Sequence, residues 1–428
     1  MHEKRSPPRP PEISRGPHPP RPPRPLLPQL LDQPGVENFF PADVRKRAAD
    51  ILANTKGGTG AYSESKGVSF IRKMVADGIE RRDGHPCEVE DLWLTDGASV
   101  GCHYIMKTMI RDSNDAVLVP IPQYPLYSAT LALYGGSLVP YYLQEDQNWG
   151  LDVEALKRTI DASRAEGKCV RALVVINPGN PTGAALDVSN QREIVELCER
   201  EGLLLVADEV YQENVYAAGK SFTSFKKVVR DLGKDIPLVS LQSTSKGYYG
   251  ECGRRGGYME VNGFDDKVKG ELYKLASVGL CPNLSGQIVM GLVMSPPVEG
   301  DDSYPLFRKE RDEILASLKR RALTLVDGLN RLEGVTCNAP EGAMYAFPKV
   351  TLPAKFVAEA DAAGTAPDAL YCMKLLEATG IVVVPGSGFG QVEGTWHFRT
   401  TFLPAEADIE GVVEKMGEFH KDFMDAYR

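Results

Sequence analysis

Asp208 closes the apolar run GLLLVAD, and Lys246 follows 38 positions later in STSKG, just past the apolar IPLVSLQS. An ionised carboxylate at the end of a buried run is costly unless a cation meets it. Its plain alternative is a helix cap. A lysine whose proton is loosened by desolvation or by neighbouring cations becomes a nucleophile or base, and imine formation with a carbonyl is its principal chemistry. The ordinary lysine is a solvated surface charge, so position is what sets Lys246 apart. Ser243, Ser245, Arg254 and Arg255 crowd the same glycine-rich stretch, SLQSTSKGYYGECGRRGGYME, with donors and positive charge.

Chemistry of this kind has to be held by rigid elements. Five apolar, strand-like runs recur at 92–95, 116–120, 171–177, 202–208 and 236–243, with helical patterns such as NQREIVELCERE between the later ones. Near-continuous apolar strands alternating with helices predict an α/β chain with a mostly parallel sheet covered on both faces. In such sheets ligands bind beyond the carboxyl ends of the strands. Each run ends in polar chemistry there: TDGAS, IPQYPLY, NPGNPTG, DEVYQ and STSKG. FPADVRKRAADILANT predicts an amphipathic helix opened by Pro41, with Val44, Ala48, Ile51 and Leu52 on one face. From about 311 a long helix is expected to run to Gly334, followed by strands around MYAFPKV, IVVVPG and TWHFRTTF. This texture predicts a large α/β domain over 57–310 and a smaller α+β domain formed by 31–56 with 311–428.

Composition narrows the function classes. The 428 residues exceed the size at which one core stops growing. With 43% hydrophobic and 25% charged residues the composition is that of a globular protein. A net charge of −9, with basic residues interspersed among acids past residue 30, argues against nucleic acid, and the lack of any apolar run of about 20 residues argues against a membrane span. Eight scattered cysteines without a CxxC pair, and only six histidines, suggest neither a metal site nor disulfides. Reduced thiols point to a cytoplasmic setting, or a mitochondrial one. Residues 1–30 are so rich in Pro and Arg that a disordered tail is expected, its PxxP spacing compatible with a proline-recognition partner. It lacks the apolar core of a secretory signal and reads poorly as a transit peptide.

NPGNPTG (177–183), DEVY (208–211), STSKG (243–247) and the later Arg399 resemble, in order and spacing, the signature set of pyridoxal-phosphate enzymes of the aspartate aminotransferase fold, fold type I. The resemblance extends from about residue 39 to the C-terminus. GAYSESKG, LTDGAS, KGYYGECGRRGGYME, CPNLSGQ and HFRTTFLP are most similar to the alanine aminotransferases, in which the segment between lysine and arginine is longer than in generic members.

The resemblance implies roles. Asp208 would pair with the pyridine nitrogen of pyridoxal 5'-phosphate, and Lys246 would form the imine with the cofactor and then move the proton at the substrate α-carbon. Asn180 and Tyr211 would hydrogen-bond the ring oxygen, and Tyr124 would stack on the ring, its alternative being a core or interface tyrosine. The amides of Ala98 and Ser99 at a helix start, with Ser243, Ser245 and one of Arg254 and Arg255, would take the phosphate. Arg255-Gly256-Gly257-Tyr258 fits the family spacing better. Arg399 would grip the substrate carboxylate, with a structural salt bridge as the alternative. Tyr62 would reach the phosphate of a neighbouring subunit, implying a homodimer. The implied reaction converts L-alanine and 2-oxoglutarate to pyruvate and L-glutamate by ping-pong exchange. A glutamate:glyoxylate or other amino-acid specificity, or an inactive relative, are the rivals.

Overall fold

The computed structural model describes residues 31–428; the expected Pro/Arg-rich tail lies outside them. A seven-stranded sheet dominates: β1 (Leu92–Thr95), β2 (Asp115–Ile121), β3 (Ser137–Tyr142), β4 (Cys169–Ile176), β5 (Leu204–Asp208), β6 (Leu238–Ser243) and β7 (Gly257–Asn262) in the spatial order β1-β7-β6-β5-β4-β2-β3. All five expected runs are strands. β3, β2, β4, β5 and β6 pair in parallel, and β7 runs antiparallel to both of its neighbours.

The strands alternate between two cores, as the two-residue strand period requires. Ala116, Leu118, Leu173, Val175, Leu205, Ala207 and Leu238 face the helices Val153–Ala165 and Val188–Glu201. Val117, Val119, Ala172, Val174, Val206, Val239 and Leu241 face the helices Ala98–Met109 and Asp266–Val278. Burial on both faces explains why β2, β4 and β5 are apolar apart from Asp115, Arg171 and Asp208, of which the first two pair with each other at 2.7 Å.

β3 and β7 were not anticipated. β3 is an edge strand interrupted by Pro140, with alternating exposure. β7 is buried along its whole length yet contains Glu260 and Asn262, a polar content that hides a central strand. Glu260 is matched by Lys226 at 2.5 Å, both side chains being 1% exposed.

The C-terminal portion builds its own core around a helix, Tyr304–Leu329, with Leu325, Phe356, Leu375, Phe398 and Phe402 fully buried. This helix starts earlier than expected, its Pro305 in the first turn, and stops before Gly334, which instead takes a left-handed turn leading into β8 (Val335–Thr336). β8 pairs with β10 (Lys349–Val350), while β9 (Tyr345–Ala346), β12 (Phe398–Thr401) and β11 (Val384–Pro385) form a three-stranded sheet. The helix Ala42–Asn54 begins after Pro41 as expected. It sends Ile51 into a core with Ile71, Leu92 and Ile288, while Asp43 accepts from Ser303 at the start of the long helix.

Candidate active site

Strand register explains why distant loops meet. Ile176 on β4, Asp208 on β5 and Leu241 on β6 are in line, so the chain leaving each strand emerges at one edge. Ser243, Gly257 and Thr95 line up across β6, β7 and β1. Because β7 is antiparallel, its beginning lies at the edge where its neighbours end. Arg255, just before β7, is thereby delivered beside Ser245 and the start of the helix Ala98–Met109.

The edge opens into a cavity of about 380 Å³ lined by Ala98, Ser99, Tyr124, Asn180, Asp208 and Tyr211, by Ser243, Ser245, Lys246 and Arg255, and by Arg399 from β12. Eleven of the twelve expected residues are therefore brought together. Tyr62 is not among them; its side chain is 81% exposed.

One end of the cavity is a cup of donors. Arg255 donates to the Asp96 carbonyl at 3.0 Å and lies within 3.4 Å of the Ser245 hydroxyl and 3.5 Å of that of Ser99. The Ser243 hydroxyl donates to Ser245 at 2.9 Å. Two glycines make room. A Cβ on Gly97, whose φ is +81°, would sit 2.4 Å from the Arg255 guanidinium, and one on Gly257 would sit 2.9 Å from the Ala98 amide nitrogen. Unpaired amides at a helix start add positive potential, so the cup suits a phosphate. Arg254 points elsewhere, to Glu251 on the surface at 3.3 Å.

The middle of the cavity holds Asp208 and Lys246. Asp208 is 6% exposed; its Oδ2 accepts from the Tyr127 hydroxyl at 2.8 Å, and its Oδ1 has no donor among the described residues. Burial pushes its pKa up, opposed by the Tyr127 hydrogen bond, by the nearby Val210 amide and by Lys246. A buried carboxylate oxygen without a donor, on a residue that lines a cavity, suits a ring N–H. The helix-cap alternative has no support, since a turn rather than a helix follows Asp208 at the end of β5, and the next helix is Phe225–Asp231. The Lys246 amine donates to the Tyr345 hydroxyl at 3.4 Å and lies 5.3 Å from the Tyr211 ring.

At the far end, Arg399 donates to the Asn180 side-chain oxygen at 3.0 Å, and its guanidinium lies 4.4 Å from the Tyr345 ring and 4.8 Å from the Phe389 ring. It makes no ion pair among the described residues, which removes the salt-bridge alternative and leaves donors for a carboxylate. Tyr211 donates to the Tyr345 hydroxyl at 3.0 Å, and burial raises its pKa well above the usual phenol value, with Tyr345 adding to the effect.

Three contributors escaped the sequence reading. Tyr127 stands three positions after Tyr124, in the first turn of the helix Leu126–Tyr134, and the need of Asp208 for a nearby hydroxyl is the signal that could have found it. Tyr345 lies in MYAFP, which looks like core filling, and Phe389 is a lone aromatic in the glycine-rich GSGFGQ.

Fold and cavity together define a pyridoxal-phosphate-dependent transferase of fold type I, in which an anion cup, a lysine and a donor-less buried carboxylate at one edge of the large sheet share a cavity with a carboxylate fork from the C-terminal sheet. The chain belongs to the class I and II aminotransferases, whose family model matches residues 33–416. It is 59% identical over 403 residues to alanine aminotransferase 2, mitochondrial, of Arabidopsis thaliana, covering 93% of this chain and 75% of that protein. It is 52% identical over 404 residues to glutamate–glyoxylate aminotransferase 2 of the same plant, covering 94% of this chain and 84% of that protein. Among solved structures, an alanine aminotransferase from Pyrococcus furiosus superposes with a TM-score of 0.75 at 27% identity, covering 90% of this chain and 89% of that one.

Proposed function

We propose that this aminotransferase moves the amino group of L-alanine to 2-oxoglutarate, giving pyruvate and L-glutamate. The observation that carries the reading is Asp208 Oδ1, buried and donor-less in the cavity that also holds Lys246 and the anion cup. The likeness to a named alanine aminotransferase at 59% identity supports the donor. When bound, pyridoxal phosphate supplies an aldehyde that carries the amino group and a ring that accepts electrons from the broken Cα–H bond.

The chain's residues divide the remaining work. Ser243, Ser245, Arg255 and the amides of Ala98 and Ser99 hold the phosphate. Asp208 keeps the ring nitrogen protonated, which requires its own ionisation despite burial; the ion pair formed on binding supplies the compensation. Tyr124 covers the ring face, and Asn180 and Tyr211 hold the ring oxygen. Lys246 would take the proton from the substrate Cα and hold it on its amine for return to carbon. Arg399 holds the substrate carboxylate in the orientation that presents the Cα–H bond to Lys246.

The same proposal includes a homodimer in which Tyr62 reaches the neighbouring cup. Its exposure supports this, as does the 3.4 Å bond from the Ser63 amide to Cys281, which ties its segment to the exposed Val278 and Leu280. Mixing Tyr62→Ala with Lys246→Ala subunits should restore activity by generating one intact site; no recovery would refute sharing. The division into 57–310 and 311–428 with 31–56 is part of the proposal, supported by the separate C-terminal core. The Arabidopsis relative is named mitochondrial, so a mitochondrial rather than cytoplasmic home is proposed.

Half-reaction kinetics with alanine, glutamate and larger amino acids test the substrate. Preference for aromatic or long donors would refute alanine, and preference for glyoxylate as acceptor would favour the reaction named for the 52% relative.

A further inference from the structure

Tyr345 is the one described side chain that touches both the lysine and the carboxylate fork. It belongs to β9, whose Tyr345 pairs with Thr401 on β12, the strand of Arg399. Backbone bonds fix the approach to β9: the Ala343 amide donates to the Asn214 carbonyl at 2.9 Å, and the Gly342 amide to that of Gly183 at 2.7 Å. The Asn214 side chain in turn accepts from the Gly247 amide at 2.9 Å, next to Lys246. Tyr345 is 9% exposed, and its hydroxyl is held by the Tyr211 hydroxyl on one side and the Lys246 amine on the other.

We infer that Tyr345 is a positioning residue with two separable parts, a hydroxyl that holds the Lys246 amine and a ring that holds the Arg399 guanidinium. This rests on the proposed role of Lys246 as the proton carrier. Lys246 has no carboxylate within ion-pair distance among the described residues, so the phenol oxygen is its sole hydrogen-bond acceptor there. An amine that takes a proton from carbon becomes an ammonium, and a phenol oxygen that accepts one of its N–H bonds stabilises that state. The hydroxyl itself neither gains nor loses a proton: the substrate C–H bond breaks, the N–H bond forms on Lys246, and the same proton leaves when the new C–H bond is made. The ring acts on binding. Packed between Tyr345 and Phe389 and anchored to Asn180, the guanidinium keeps one orientation, so less freedom is lost when a carboxylate arrives.

Two substitutions separate the parts. Tyr345→Phe keeps the ring, and it should lower kcat about fivefold to tenfold and enlarge the isotope effect of α-deuterated alanine, with little change in KM. Tyr345→Leu should in addition raise KM for alanine and for 2-oxoglutarate about threefold to tenfold. A readout independent of turnover is the rate at which cyanate carbamoylates Lys246 in the cofactor-free protein, followed by peptide mass mapping. Loss of the hydroxyl should release the amine and speed labelling about fivefold, with the surface Lys274 as an unaffected internal standard. Unchanged kcat, isotope effect and labelling rate in Tyr345→Phe would overturn the hydroxyl assignment. A rise in KM in Tyr345→Phe equal to that in Tyr345→Leu would overturn the division into parts. Lys246→Ala is the separate control: turnover surviving in that variant would defeat the lysine reading itself.

Discussion

The two ends of the cavity are built in different ways. The anion cup comes from three neighbouring strands of one sheet, β1, β6 and β7, and its residues converge because Thr95, Gly257 and Ser243 share a register line. The carboxylate fork is assembled across the molecule: Arg399 and Tyr345 from the small C-terminal sheet meet Asn180 from the turn after β4. The first arrangement fixes a ligand that stays, while the second makes substrate binding depend on how the C-terminal sheet sits against the large one.

Breaking either end should therefore give a different defect, and Lys246, between them, should give the largest. Lys246→Ala is expected to lower kcat by about 10⁴-fold or more while the protein still binds pyridoxal phosphate; single-turnover kinetics check this. Arg399→Leu should reduce kcat/KM for alanine and 2-oxoglutarate about 10- to 150-fold through lost charge-assisted bonds, with cofactor affinity unaltered in an equilibrium titration. Arg255→Ala should have the opposite signature, weakening cofactor affinity about tenfold with near-normal turnover at saturating cofactor. Arg254→Ala should do neither, because its partner is Glu251 on the surface. If Arg399→Leu and Arg255→Ala gave the same defect, the distinction between the two ends would fail.

The smallest effect concerns Glu209, the residue after Asp208 at the end of β5. Burial lifts the Glu209 carboxyl to about 8, from an ordinary 4.5, against the pull of Arg82 and with Asp83 and Glu260 adding to the rise. The folded protein thus holds a proton that the unfolded chain releases at lower pH. That contribution to stability is complete below the unfolded value and is lost as pH rises through the folded one. Glu209→Gln, which can still accept from the Phe225 amide, should flatten the decline of Tm by a few degrees as pH rises from the unfolded value of 4.5 to the folded value of about 8.

The same contrast governs what the sequence revealed. The cup was legible because its residues lie in short local motifs at strand ends, TDGAS and STSKG, and the spacing around Arg255 favoured the arginine that lines the cavity. Arg399 was also visible, as a charge in an apolar strand, but its setting was not. Tyr345 belongs to a two-residue strand and gains its place from backbone bonds of the preceding Ala343 to Asn214 and of Gly342 to Gly183, all far away in sequence. Nothing local marks it. β7 was hidden for a related reason: Glu260 looks wrong for a buried strand until Lys226, 34 positions before it, is seen beside it.

The central claim is that Lys246, Asp208 and the cup hold one cofactor for amino exchange. The most direct test is the visible absorbance of the purified protein loaded with pyridoxal phosphate, recorded in wild type and Lys246→Ala. The wild-type band should disappear on addition of L-alanine and return with 2-oxoglutarate, and the variant should lack that cycle. A wild-type band that ignores both substrates would contradict the account.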